Sequence, residues 1–130
     1  MSFVVISSHE DAHGKDLQQP GDSVTVTSSQ VEARERYATR LARLTDAARA
    51  LGGDSEGGST AWVALLQLPV PAADVDEALE TLEIVIEETD DIAGELGDMI
   101  LAYEGTVYAN ATESPFARER AIDNLHAWLV

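Results

Sequence analysis

Mostly apolar residues spaced alternately four and three apart run from Val75 to Asn110, and this pattern constrains the fold more than any other feature. A seven-residue apolar repeat predicts a helix that lies along a partner seam. At about 1.5 Å per residue, an unbroken helix of this length would extend roughly 50 Å. Three glycines within it each disfavour a helix by about 1 kcal/mol. The members of the pattern are Val75, Leu79, Leu82, Ile86, Thr89, Ala93, Leu96, Ile100, Tyr103, Val107 and Asn110.

Three further helices are predicted from local signals. Ser29-Gln30-Val31-Glu32 is a capping box that begins a helix, and Gly52-Gly53 ends that helix. The apolar run over 61–68 predicts a short helix stopped by Pro69. Ser114-Pro115 favours the start of a last helix, since proline suits the first helical turn.

The N-terminal segment contains two β-prone runs, Phe3–Ile6 and Ser23–Thr27. The runs could pair, but a lone two-stranded ribbon is marginally stable in water. We therefore predict a flexible or ribbon-like arm over 1–28 and a helical bundle domain over 29–130. The predicted fold class is all-α: a long antiparallel helical hairpin with a C-terminal helix.

The charge balance excludes several classes of function. The chain has 24 acidic against 8 basic residues, a net charge of −16, and no cysteine. Such a surface repels a phosphate backbone, so nucleic-acid binding is not expected. Cys-ligated metal sites are excluded, and no apolar run approaches the ~20 residues of a membrane span. Without a signal-peptide pattern, we predict a cytoplasmic protein, with export lacking a cleaved signal as the alternative.

The charges are also segregated along the chain. Residues 72–98 hold eleven Asp and Glu and no Lys or Arg, whereas residues 29–51 hold five Arg against three acids. Two antiparallel helices with these charges would be complementary along their flanks. The alternative interpretation is that the acidic run is a solvated face.

His9-Glu10-Asp11-Ala12-His13 matches the H-E-x-x-H pattern of zinc-dependent hydrolases. That motif needs a helix packed under the fold, whereas Ser, Gly and Lys flank it here. We therefore favour a polar arm with two exposed histidines, and the role of the pair stays open.

Two acidic clusters resemble the motif of the all-α, MazG-like nucleotide pyrophosphohydrolases. The clusters are Asp76-Glu77-Ala78-Leu79-Glu80 and Glu95-Leu96-Gly97-Asp98. The resemblance implies that Glu77, Glu80, Glu95 and Asp98 hold magnesium, which grips a triphosphate and activates water. The four acids can converge only if the chain folds back near Thr89.

From Val24 to the end of the predicted long helix, the chain resembles small actinobacterial type VII secretion proteins, the EspC-like relatives of the Trp-x-Gly (WXG) family. The shared features are Val24-Thr25-Val26-Thr27 before an Ala/Arg/Leu helix, a Gly-rich turn before Trp62, and a long helix ending in Ala102-Tyr103-Glu104. The resemblance implies helical hairpins that pair into four-helix bundles, with Trp62 near the bend.

We therefore expect a protein–protein interaction module, a hairpin partner or substrate in type VII secretion that forms a homo- or heterodimer. No cofactor is expected for this function. The alternatives are a magnesium-dependent pyrophosphohydrolase and an acidic immunity protein that binds a basic toxin. The predicted interface comprises Leu41, Leu44, Trp62, Leu79, Leu82, Ile86, Leu96, Ile100 and Tyr103.

Overall fold

The structure is a computed structural model that describes residues 2–10, 23–51, 60–107, 111–112 and 117–129. Strands and helices are mixed along this part of the chain. In order they are β1 (Phe3–Glu10), β2 (Val24–Thr27), α1 (Gln30–Leu51), β3 (Thr60–Gln67), α2 (Val75–Glu88), α3 (Ile92–Met99), β4 (Ile100–Val107), β5 (Ala111–Thr112) and α4 (Ala117–Leu129).

The strands form one five-stranded sheet in the order β2-β1-β3-β4-β5, and every neighbouring pair is antiparallel. The two β-prone runs do pair, with Phe3 opposite Thr27 and Ile6 opposite Val24. However, β1 also pairs along its whole length with β3, and its apolar residues are buried. The predicted arm therefore supplies two strands of the sheet, the edge strand β2 and the interior strand β1.

The segment predicted as a short helix over 61–68 is the strand β3, so that prediction is wrong. Its successive residues Val63, Ala64, Leu65 and Leu66 are all fully buried. A strand covered on both faces is apolar at every position, and its sequence loses the alternation that identifies a half-exposed strand.

Helices cover both faces of the sheet, giving three layers. Helix α1 packs on the face formed by the odd-numbered residues of β1 and β3, such as Val5 and Leu65. Helices α2, α3 and α4 cover the opposite face, where Ile6 and Leu66 meet Leu82, among others. The all-α class, the helical hairpin and the four-helix bundle are therefore wrong, because the sheet forms the middle of the molecule.

The predicted long helix is interrupted twice. Helix α2 ends at Glu88, α3 occupies Ile92–Met99, and β4 follows from Ile100. A β-bulge leaves Leu101 without a partner in the pairing of β3 with β4, because Leu65 lies opposite Ala102 and Leu66 opposite Ile100. As a result, Ile100 and Tyr103 both pack on the α2–α4 side although they are three residues apart.

The predicted start of α1 is confirmed. The backbone N–H of Glu32 donates to Ser29 Oγ at 3.2 Å, and α1 begins at Gln30. The Gly52-Gly53 stop, the Ser114-Pro115 start and Asn110 lie outside the described residues.

Candidate functional site

The acidic segment forms α2 and α3, and local side-chain caps fix where both helices begin. Asp74 caps α2 by accepting from the Glu77 N–H at 2.9 Å, while the Glu77 carboxylate accepts from the Ala73 N–H at 2.7 Å. This reciprocal arrangement of Asp74 and Glu77 marks the start of α2. It points the first-turn acids toward the positive end of the helix dipole.

A sharp turn over Thr89–Asp91 separates the two helices. The Asp91 N–H donates to Thr89 Oγ1 at 3.0 Å, and Asp91 caps α3 by accepting from the Gly94 N–H at 3.1 Å. A Cβ at position 94 would come too close to the Asp91 carboxylate, so a larger residue there would require the Asp91 side chain to shift.

All eleven acidic residues of this region are exposed. We call them the acidic layer. None forms an ion pair with a residue of the described chain, and residues 60–107 contain no Lys or Arg. The members are Asp74, Asp76, Glu77, Glu80, Glu83, Glu87, Glu88, Asp90, Asp91, Glu95 and Asp98.

The acidic layer opposes folding most clearly at the C-terminal end of α2. Glu87 and Glu88 occupy the last turn of α2, which has no basic residue, and Asp90 follows in the turn. The carbonyl end of a helix carries partial negative charge, so each carboxylate there opposes folding by roughly 0.3–1 kcal/mol. A cation near this end would be attracted by the helix and by the side chains together.

Two concave surfaces interrupt the layer on either side of α2. The first, the α3 cavity, measures about 320 Å³. Its lining residues are Gln67, Leu68, Pro69, Val85, Glu95, Asp98 and Met99. The second, the α4 groove, measures about 290 Å³ and is lined by Glu83, Ile86, Glu87 and Leu129. Each combines two exposed carboxylates with apolar side chains, a surface suited to a ligand that is both cationic and partly aliphatic.

On the α1 side of the sheet, several polar side chains are buried or partly buried. Arg40 of α1 donates to Oγ of the fully buried Ser7 at 3.1 Å, and His9 of β1 is also buried. Tyr37 packs beside them against the apolar cluster under α1, and burial, with the Glu104 charge adding to it, raises the pKa of its phenol to about 12. These groups are held within the chain rather than presented to solvent.

The predicted interface residues are distributed over the two cores. Leu44, Leu82 and Leu96 are buried, so they have no appreciable surface to offer another chain. The remaining members keep part of their surface, and their contact with a partner stays a prediction; they are Leu41, Trp62, Leu79, Ile86, Ile100 and Tyr103. The Trp62 and Tyr103 rings lie 6.2 Å apart on neighbouring strands, and the Tyr103 hydroxyl accepts from Asn124 at 2.7 Å.

The alternative metal site is not assembled in the described part of the chain. No three Asp, Glu or His side chains there lie close enough to hold a metal ion. The chain does turn near Thr89, but Glu77, Glu80, Glu95 and Asp98 do not converge. The H-E-x-x-H hypothesis is wrong for His9, which is buried on a strand rather than exposed or helical; His13 lies outside the described residues.

The antiparallel pairing of the arginine-bearing and acidic helices is also wrong, because α1 and α2 lie on opposite faces of the sheet. The acidic motif in the sequence includes Glu95 and Asp98, but it does not predict the apolar floor beside them. That floor exists because β3 ends next to α3, and the available signal was an eight-residue apolar run stopped by Pro69.

No family model, curated protein or solved structure matches this chain. The proposed membership in the type VII secretion (WXG/EspC-like) proteins is therefore wrong, since the sheet rules out their helical hairpin. The same sheet excludes the all-α fold of the MazG-like enzymes. Within the described residues, no helix has the length and apolarity needed to cross a bilayer.

Proposed function

We propose that this protein is a protein-interaction module whose acidic layer binds a positively charged segment of a partner protein. The observation that carries the proposal is the single-sign layer of eleven exposed carboxylates on α2, its N-cap, α3 and the turn between the helices. An immunity protein that covers a basic toxin is one case of such a module. Type VII secretion is not carried forward, and the cytoplasmic location stays a prediction.

Three properties of the layer support binding over simple solvation. Its carboxylates have no cationic neighbours in the described chain, so a partner would not have to break existing ion pairs. Its charges crowd the end of α2 where they oppose folding, and a bound cation would relieve that opposition. Its two concave surfaces offer apolar contact, which gives a charged interface a packed component.

A hexa-arginine peptide, titrated calorimetrically at low and at moderate ionic strength, tests the proposal. The layer variant is Asp76→Asn/Glu80→Gln/Glu88→Gln, and the matched control on α1 is Asp46→Asn/Glu32→Gln/Glu35→Gln. Both variants remove one Asp and two Glu charges from exposed positions. Since exposed pairs contribute up to about 1 kcal/mol each, we expect the layer variant to weaken binding about tenfold and the control about twofold.

Binding that weakens steeply with salt is expected, because exposed charges are screened beyond about 10 Å at 0.1 M. Equal weakening by both triple variants would show that only net charge matters. No binding at low salt would show that the acidic layer is a solvated face, and either result would overturn the proposal.

A further inference from the structure

The α3 cavity is a concave part of the acidic layer with an apolar floor. Two of its lining residues belong to the protein core, since Leu68 is 3% exposed and Met99 is 8% exposed. Val85 of α2 and Pro69, just after β3, extend the apolar surface. Val85 and Met99 lie on α2 and α3, and Leu68 and Pro69 directly follow β3, so the floor forms where these three elements meet.

Two carboxylates stand over that floor. Glu95 and Asp98 are three residues apart on α3, a spacing that places both side chains on one face of a helix. Both are exposed, and neither forms an ion pair within the described chain. The cavity therefore offers an aliphatic surface below and two negative acceptors above.

We propose that the α3 cavity binds the side chain of an arginine on the basic partner, an assignment that rests on the function proposed above. The methylene stem of arginine packs on Leu68, Val85 and Met99 while its head remains with the carboxylates. The guanidinium group has five donors in a fixed plane and accepts partial desolvation. It can therefore donate to Glu95 and Asp98 together.

Two other cations fit this cavity less well. A lysine ammonium is a compact, strongly hydrated charge, and an apolar floor does not replace its water. Divalent cations such as calcium and magnesium need about six oxygen ligands, whereas the cavity contributes two carboxylates and lies outside any group of three acidic or histidine ligands in the described residues. Among these cations, only arginine combines an aliphatic stem, a planar group of donors and a positive charge.

The test uses three capped tripeptides of the form Ala-X-Ala, in which X is arginine, lysine or citrulline. Citrulline keeps the shape of arginine but carries no charge. Amide chemical shifts of the full-length protein are followed during each titration. We expect the arginine peptide to move Leu68, Val85 and Met99, the lysine peptide to bind more weakly, and the citrulline peptide to cause no localised shifts.

Two variants with equal charge change locate the site. Glu95→Gln/Asp98→Asn removes both carboxylates of the cavity, and Asp76→Asn/Glu80→Gln removes one Glu and one Asp that line neither concave surface. Because hydrogen bonds to charged groups are the strong ones, we expect the first variant to weaken the arginine peptide at least about tenfold. The second variant should weaken it about twofold or less.

Outcomes separate this assignment from the proposed function. If hexa-arginine binds but the two double variants weaken the tripeptide equally, the layer binds basic partners diffusely and the arginine cavity is wrong. Shifts confined to Ile86 and Leu129 would place the arginine in the α4 groove instead and would also overturn the assignment. If hexa-arginine itself does not bind, the function proposed for the layer fails first.

Discussion

The two helical layers that cover the sheet handle charge in opposite ways. On α1, arginines and acids are mixed, Arg36 pairs with Glu32 at 3.4 Å, and Arg40 donates to the buried Ser7. On α2 and α3 every charged residue is acidic, and carboxylates occupy even the last turn of α2. The first layer mixes both signs of charge and uses two of its arginines in contacts within the chain. The second presents like charges to whatever surrounds it, which is why we look there for a partner.

The largest expected effect tests whether the core under α1 and the core under α2–α4 stabilise the protein to a similar extent. Leu65 and Leu66 are neighbours on β3 that face α1 and α2–α4 respectively, and both are fully buried. We expect Leu65→Ala and Leu66→Ala each to lower the free energy of unfolding by about 2–5 kcal/mol, as for other buried leucines. Urea unfolding of the two variants measures this directly. A small loss for either one would show that its layer does not pack on the sheet.

The burial of both faces also explains which parts of the fold the sequence could predict. The capping box at Ser29 is a local signal and marks a true helix start, and Asp74 caps α2 by an equally local contact. The strands β1 and β3 have no alternating pattern because helices cover both of their faces. Their β-branched and aromatic residues, and the short length of the run ended by Pro69, were the remaining signals.

The sequence pattern does not predict the strand β4, for a different reason. Its bulge at Leu101 adds one residue between Ile100 and Tyr103, so two residues on the same face of the sheet are three apart rather than two. That spacing continues the helical repeat of α2 and α3 without a visible break. A bulge depends on the pairing of two strands, and no feature local to residues 100–107 reveals it.

The candidate site, like the fold, has features that the sequence predicts and features that it does not. Exposed acids can be read from composition, and all eleven are indeed on the surface. The cavity beside Glu95 and Asp98 needs β3, α2 and α3 in contact, which depends on residues far apart in the sequence. The sequence alone could therefore identify the charge of the site but not its shape.

A smaller effect compares the electrostatics of the helix ends in the two layers. Glu32 lies in the first turn of α1, where it pairs with Arg36 and accepts from Thr27 Oγ1, whereas Glu88 lies in the last turn of α2. Glu32→Gln and Glu88→Gln remove one exposed negative charge each, so both relieve the general repulsion of a chain with net charge −16 to a similar extent.

The local terms of these two substitutions have opposite signs. A carboxylate is favourable at the N-terminus of a helix and unfavourable at its C-terminus by roughly 0.3–1 kcal/mol. We therefore expect the Glu88 variant to be more stable than the Glu32 variant by about 1 kcal/mol in low salt, measured as a difference in urea midpoint at equal slope. The difference should shrink as salt is added. Equal stabilities in low salt would mean that the two layers do not differ electrostatically at their helix ends.

The smallest effect concerns a group that the α1 layer buries, the phenol of Tyr37. Burial, with the Glu104 charge adding to it, raises the pKa of Tyr37 to about 12, from an ordinary value of 10.0. Between these values the unfolded chain loses the proton while the folded chain keeps it, so folding stability falls as pH rises through this range. Below pH 10 the contribution is constant. The difference between the tyrosinate absorbance titrations of the wild type and Tyr37→Phe should therefore show one late transition, and the melting temperature of the variant should fall less steeply above pH 10. A difference transition near pH 10 would instead mean that Tyr37 is open to solvent, and the α1 layer would then be less closed than its packing against the sheet requires.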